Sequence, residues 1–315
     1  MDETQYLSAR LASLLGPVRT LMADDQITDV MINPDGRVFA ERIGERIVAT
    51  DLVFDAAQAT ALIKNLAFLV GAAKLDERNP ELSGRVPDLG WRFQGLLPPV
   101  VAAPAISLRK PAQRVYPLED YVSAGRMTEE QFAFLCEAVA EHRNIVVVGG
   151  TGSGKTTLCN ALLHEMARVC PEDRVVIIED TEELQCTCEN SVALRATRDV
   201  DMHQLLRWTL RLRPDRIVVG EVRGAEALVV LKSWNTGHPG GLTTLHANGA
   251  REALDKLEQL AAEGTGGFVP RHEVAAAVDV VVYCERSRGH RRVAQVIQVE
   301  GLNGDSKYEW KEIGR

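Results

Sequence analysis

NIVVVGGTGSGKTT, residues 144–157, decides the fold. Ile145 to Val148 is an unbroken run of β-branched apolar residues, which reads as a strand buried on both faces. The residues after it fit Gly-x-x-x-x-Gly-Lys-[Ser/Thr], with Gly149, Gly154, Lys155 and Thr156 in the defining places. Glycines at such a turn let successive amides curl around an anion, and the next helix aims the positive end of its dipole at the same point. Gly149, Gly150, Thr151, Gly152, Ser153, Gly154, Lys155, Thr156 and Thr157 are therefore expected to cradle the phosphates of a nucleotide. Lys155 supplies a point charge for the β and γ phosphates. Thr156 offers a hydroxyl to Mg²⁺, which neutralises charge during phosphoryl transfer.

Outward from this loop the rhythm is strand, helix, strand. Asn144 to Gly149, Arg174 to Glu179, Ile217 to Gly220 and Gly241 to His246 read as strands separated by helical segments, which implies crossover connections and a mostly parallel, two-face-covered α/β sheet. Val278 to Cys284 and Arg292 to Glu300 flank the turn RSRGH and suggest an antiparallel hairpin appended to it. The first part of the chain differs. Apolar positions recur at helical spacing from Tyr6 to Met22, then short alternating stretches begin at Ile27, broken by NPDG and IGE. A second helix is expected over Asp55 to Val70 with Asp55 able to cap it, and strands at Trp91 to Leu97 and Ala105 to Arg109. Prolines 98, 99, 104, 111 and 117 precede a new helix at Thr128 to Glu141. The expected organisation is an α+β amino-terminal domain over 1–112, a linker over 113–127 and the phosphate-binding α/β domain over 128–315.

Hydrolysis needs one group to orient or deprotonate water and another to hold the metal. An open α/β sheet places its ligand at the carboxyl ends of its strands. RVVIIEDTEEL brings Glu179 and Asp180 there, and RIVVGEVRG brings Glu221. The second nucleotide motif usually ends an apolar strand in a metal-ordering Asp, but Gly220 stands at that position. The metal-side carboxylate is thus expected from Glu179 or Asp180, with Glu221 polarising the water. Glu182 and Glu183 read as surface acids. His246 closes a strand on the same sheet edge and is expected to sense the γ phosphate or the bound water, while His238 on a glycine-rich turn reads equally well as structural. Arg207 and Arg211 sit four apart on one helix face, and Arg213, Arg216 and Arg223 bracket the Glu221 strand, where they can pair acids or complete a site. Arg92 and Arg109 can reach a nucleotide or serve as ordinary surface cations. Arg286, Arg288, Arg291 and Arg292 read as a solvated hairpin tip that can also meet anionic lipid or an acidic partner.

Composition bounds the rest. At 315 residues the chain is long enough for about two domains at roughly 150 residues each. Its 45% hydrophobic and 25% charged fractions are those of a globular protein. A net charge of −8 argues against coating nucleic-acid phosphates as a main task, and no sequence-specific nucleic-acid binding is expected. No apolar run approaches the ~20 residues of a membrane span. The acidic start MDETQY lacks the features of a secretory signal, so a cytoplasmic location is expected. Six scattered cysteines form no zinc or disulfide pattern; Cys186 and Cys188 read as reduced strand neighbours.

Taken together, ITDVMINPDG, LLPPVVAAPAISLRKP, GGTGSGKTT, IIEDTEEL, RPDRIVVGEVRG and NTGHPGGLTTLHAN, in that order, resemble the traffic ATPases of type IV secretion and bacterial conjugation, and within them the TrbB type. The resemblance covers most of the chain. It implies a RecA-like P-loop domain, ATP and Mg²⁺ as cofactors, a homohexamer, and a peripheral place on the cytoplasmic face of the inner membrane beside membrane components of a secretion machine. It implies catalytic roles for Glu179, Glu221 and His246, and nucleotide contacts for Arg92 and Arg109. Type II secretion and pilus-assembly ATPases share the central boxes, but their cysteine-rich zinc insertion is absent, as is the AIRNLIRE-like segment of pilus-retraction relatives. Two other classes are a phosphotransferase using the same loop on a small metabolite, and a nucleotide-gated scaffold with little turnover.

Overall fold

A computed structural model of the chain describes residues 13, 15–43, 45–72, 75–86, 89–111, 114–197, 199–267, 271–287 and 290–314. The chain divides into two units, residues 1–113 and 114–315.

The first unit contains α1 (Gly16–Met22), β1 (Ile27–Ile32), β2 (Arg37–Arg42), β3 (Val48–Val53), α2 (Ala56–Leu69), β4 (Glu81–Arg85), β5 (Arg92–Leu96) and β6 (Ala105–Arg109). Its strands form one antiparallel sheet in the order β3-β2-β1-β6-β5-β4. NPDG turns β1 into β2 as expected, with Gly36 at φ 82°, a conformation that favours glycine. Asp55 caps α2: its carboxylate accepts from Gln58 N at 2.7 Å while the Gln58 side chain accepts from Asp55 N at 2.9 Å. Leu62, Ile63 and Leu66 of α2 bury against Val30, Ile32, Phe93 and Leu108 of the sheet. Residues 6–12 and 14 of the expected first helix lie outside the described residues. Strand β4 has no counterpart among the expected strands, because as an edge strand it buries only Leu82 and shows no alternation.

The second unit contains α3 (Leu118–Ser123), α4 (Glu129–Ala140), β7 (Ile145–Gly149), α5 (Lys155–Val169), β8 (Val175–Glu179), β9 (Ser191–Arg195), α6 (Met202–Thr209), β10 (Arg216–Val219), α7 (Glu226–Asn235), β11 (Leu242–Leu245), α8 (Ala250–Glu263), α9 (Arg271–Ala277), β12 (Val280–Ser287), β13 (His290–Leu302) and β14 (Tyr308–Ile313). The sheet order is β14-β13-β12-β7-β11-β10-β8-β9, parallel from β12 to β9 and antiparallel from β12 to β14. The apolar run in β7 is explained by its two faces. Ile145 and Val147 pack with Leu135 of α4 and Leu158 of α5, while Val146 and Val148 pack with Leu231 of α7, Leu254 of α8 and Val274 of α9.

The stretch 113–127, expected as a linker, instead carries α3, and Leu118 and Met127 are buried in the core of this unit. Pro117 occupies the N-cap position of α3 at φ −57°, so the proline expected to punctuate a linker starts a helix. Thr128 caps α4 through a reciprocal box with Gln131. Cys186 and Cys188 lie in the irregular loop between β8 and β9 rather than on a strand, and all six cysteines are free. Edge strands β9 and β14, like β4, are additions to the expected set.

Candidate active site

The loop after β7 is shaped by glycine. Gly149, Gly152 and Gly154 adopt φ values of 153°, 69° and 98°. A Cβ on Gly149 would lie 2.3 Å from the carbonyl oxygen of Cys284, its partner on β12. Gly154 is the left-handed N-cap from which α5 departs. Within the loop the buried Lys155 donates from Nζ to the carbonyls of Gly149 at 3.0 Å and Gly150 at 3.2 Å. Ser153 is buried, with no hydrogen-bond partner for its hydroxyl among the described residues. A Cβ at Gly150 would meet open space. These features suit a polyanionic tail: an α-helix N-terminus, a buried ammonium and a buried hydroxyl converge on one turn.

The two acids at the end of β8 face different partners. Glu179 is buried, and its Oε1 accepts from the amides of Glu183 at 2.8 Å and Leu184 at 3.0 Å. It thereby folds the loop after β8 back on itself. That reversal delivers Glu183, whose Oε2 accepts from the Thr156 hydroxyl at 3.0 Å. Asn160 of α5 fastens the same loop, accepting from Gln185 N at 2.8 Å. Glu183 thus stands at the phosphate loop instead of being a surface acid, while Asp180 is drawn away to Arg223, 2.5 Å from its Nη1. Gly220 owes its identity to this packing: a Cβ there would sit 2.8 Å from Cγ of Glu179.

Glu221 and His246 meet at the same sheet edge. His246 Nε2 lies 2.9 Å from Glu221 Oε1, and its Nδ1 lies 3.4 Å from Lys155 Nζ. The Glu221 Oε1 that His246 approaches is buried, with no hydrogen-bond partner among the described residues. Arg223 grips the other Glu221 oxygen, its Nε at 2.8 Å, so Lys155, His246, Glu221, Arg223 and Asp180 form one chain of alternating partners. Thr244 supports it by donating to Gly220 O at 2.8 Å. Burial pushes the Cys284 thiol beside the loop up to about 12 and raises that of Cys159 as well, so both remain neutral there.

Other expected residues are elsewhere. His238 holds the Pro214 carbonyl at 3.0 Å, at the amino ends of the parallel strands and away from the loop. Arg216 is fully buried at that same end, bound to Asp173 at 2.5 Å, Val139 O at 2.9 Å and Cys170 Sγ at 3.1 Å. His142 joins Asp173 at 2.9 Å, and this cluster of metal-ligand types already encloses a guanidinium. Helix α6 ends at Thr209, so Arg211 does not share its face with Arg207. In the first unit Arg92 and Arg109 are direct cross-strand partners on β5 and β6, and Arg85 extends the row on β4. Arg109 also faces Asp29 at 3.7 Å. Arg291, expected at a solvated tip, donates from Nε to Gly152 O at 2.9 Å. Arg288 lies outside the described residues.

A phosphate-binding loop, an adjacent hydroxyl-bound carboxylate and a histidine-linked carboxylate at one sheet edge define a P-loop nucleoside triphosphatase. The family described as Type II/IV secretion system protein matches residues 12–299. The chain belongs to that family, and is a secretion ATPase of the TrbB/VirB11 type. It is 48% identical over 300 residues to the conjugal transfer protein TrbB of Rhizobium radiobacter, covering 95% of this chain and 92% of that one. It is 30% identical to the protein VirB11 of Agrobacterium fabrum, covering 97% of each. The fold is also that of the ATPase DotB of Legionella pneumophila, at TM-score 0.59 and 20% identity over 96% of this chain and 79% of the other. Among the described residues no helix is long and apolar enough to cross a membrane.

Proposed function

We propose that this chain is the ATP-hydrolysing motor of a conjugative type IV secretion apparatus, working as a homohexamer on the cytoplasmic face of the inner membrane beside the membrane components of that machine. Near-full-length identity to a conjugal transfer protein supports the pathway. The observation that carries the chemistry is the pairing of Thr156 with Glu183 beside the Lys155–His246–Glu221 chain. Lys155 and the loop amides bind the phosphates. Thr156 and Glu183 would hold Mg²⁺, whose charge would offset that developing on the phosphoryl oxygens.

Glu221 orients the attacking water and accepts its proton, with Arg223 fixing the carboxylate. His246 touches both Lys155 and Glu221, so the arrival of a phosphate at Lys155 is felt at the catalytic acid through one ring. Glu179 shapes the loop that presents Glu183. Arg92 and Arg109, adjacent on one sheet surface, give the first unit an anion-binding row. Turnover drives domain motion for pilus assembly or for transfer of DNA or protein. Phosphate release by the purified protein tests this: Mg²⁺-dependent turnover without a small acceptor, abolished in Lys155→Ala, is expected. Acceptor-dependent transfer or tight binding with negligible turnover would refute it.

A further inference from the structure

The β12–β13 hairpin is placed where it can act on the nucleotide. β12 runs parallel to β7, and Cys284 pairs with Gly149, the last residue before the phosphate loop. Glu285, Arg286 and Ser287 therefore continue beyond that point alongside the loop, and β13 returns with His290 and Arg291. Both guanidinium groups lie on Gly152. Arg291 donates to its carbonyl at 2.9 Å, and Arg286 Nη1 is 2.9 Å from the place a Cβ on Gly152 would take. Arg292 points elsewhere, to Glu285 at 2.9 Å. Because a peptide is planar and trans, a carbonyl held from outside turns the next amide inward. The Ser153 N–H does face inward, donating to Gly150 O at 3.3 Å.

We infer that Arg286 is a phosphate-contacting residue of the nucleotide site and that Arg291 is a positioning residue that fixes the loop for it. This rests on the proposed nucleotide-binding role of the loop. Lys155 brings one cation from within the loop, and the hairpin adds a planar donor from outside it, suited to bidentate capture of a phosphate. A glycine at 152 keeps the space between them clear.

The test uses the full chain with Mg²⁺ and a fluorescent ADP analogue at low and high salt. Arg286→Ala should weaken binding about tenfold and flatten its salt dependence, the loss expected for one charge-assisted hydrogen bond, while Arg286→Lys keeps most of the affinity. Arg291→Ala should raise the ADP Kd and the KM for ATP together with kcat within about twofold, and Arg291→Lys should restore both. Arg286→Ala binding within about twofold of wild type overturns the inference. So does an Arg286→Ala defect confined to vesicles of anionic phospholipid with nucleotide affinity intact, which would make the hairpin a lipid contact. An Arg291→Ala loss of kcat at unchanged Kd removes its positioning role. If Arg286→Ala melts at a lower temperature, the Arg286→Lys salt slope decides, since it keeps the charge and the fold. Failure of the wild type to bind the analogue would instead sink the nucleotide-binding role itself.

Discussion

Gly220→Ala isolates the packing that builds the site. Gly220 does not adopt the left-handed conformation, so alanine fits the backbone and the effect is steric. The new methyl would lie 2.8 Å from Cγ and 3.2 Å from Oε1 of Glu179, a buried side chain that cannot swing into solvent in place. Overpacking of this kind costs about 1–3 kcal/mol. Displacing the carboxylate also loosens its hydrogen bonds from the Glu183 and Leu184 amides, each worth about 1.5–3 kcal/mol. Partial relaxation leaves an expected destabilisation of roughly 2–4 kcal/mol. The larger consequence is catalytic: with the loop no longer reversed, Glu183 leaves Thr156 and turnover should fall about 100-fold, or about 2.7 kcal/mol of barrier. Nucleotide affinity should change little, because the phosphate loop is untouched. Steady-state phosphate release, ADP-analogue titration and urea melts read the three quantities. A double-mutant cycle with Glu179→Ala should be strongly non-additive, since both changes act through one carboxylate. Wild-type turnover in Gly220→Ala, or additive losses in the cycle, would refute the reasoning.

Three other outcomes are expected. Glu183→Gln and Glu221→Gln should each remove most hydrolysis, the first with a higher Mg²⁺ requirement and the second without one, as a metal titration of the turnover rate will show. Asp173→Ala strands the buried Arg216 guanidinium and should cost about 3–5 kcal/mol in urea melts, at an unaltered nucleotide site. Cys186 should be the first cysteine alkylated by iodoacetamide. The Cys188 thiol donates to its sulfur and pulls it down to about 6, so its labelling should rise as pH climbs through about 6 and flatten by pH 8, where an ordinary thiol is still gaining thiolate. Peptide mass mapping across pH reads this.

What can be read from the residues is local. The loop, its strand and its helix carry their chemistry at fixed spacing, and the two-faced burial of β7 shows directly as an unbroken apolar run. The places of Glu221 and His246 are legible for the same reason, each following an apolar strand at one sheet edge. Glu183 is not, because its place depends on the chain reversing over Glu179, a three-dimensional event with no periodicity. The hint in the sequence is Gly220, whose missing side chain marks the space that Glu179 fills. The contact of Arg291 is hidden because charge at a hairpin tip does not say which way the hairpin leans. The helix at Leu118 is masked by prolines that serve equally in linkers and at helix starts. Edge strand β4 lacks the alternation that betrays a half-buried strand, whereas β9 and β14 alternate but over only 5 and 6 residues, too short a run to stand out.

The position of β12 has an implication for how the molecule is made. A ribosome completes the phosphate loop and α5 long before it completes the strand that flanks β7 on one side and presses a carbonyl against Gly149. Until that late segment emerges and docks, the loop has no wall on that flank. A growing chain therefore passes through a stage in which the phosphate loop and α5 exist without that wall.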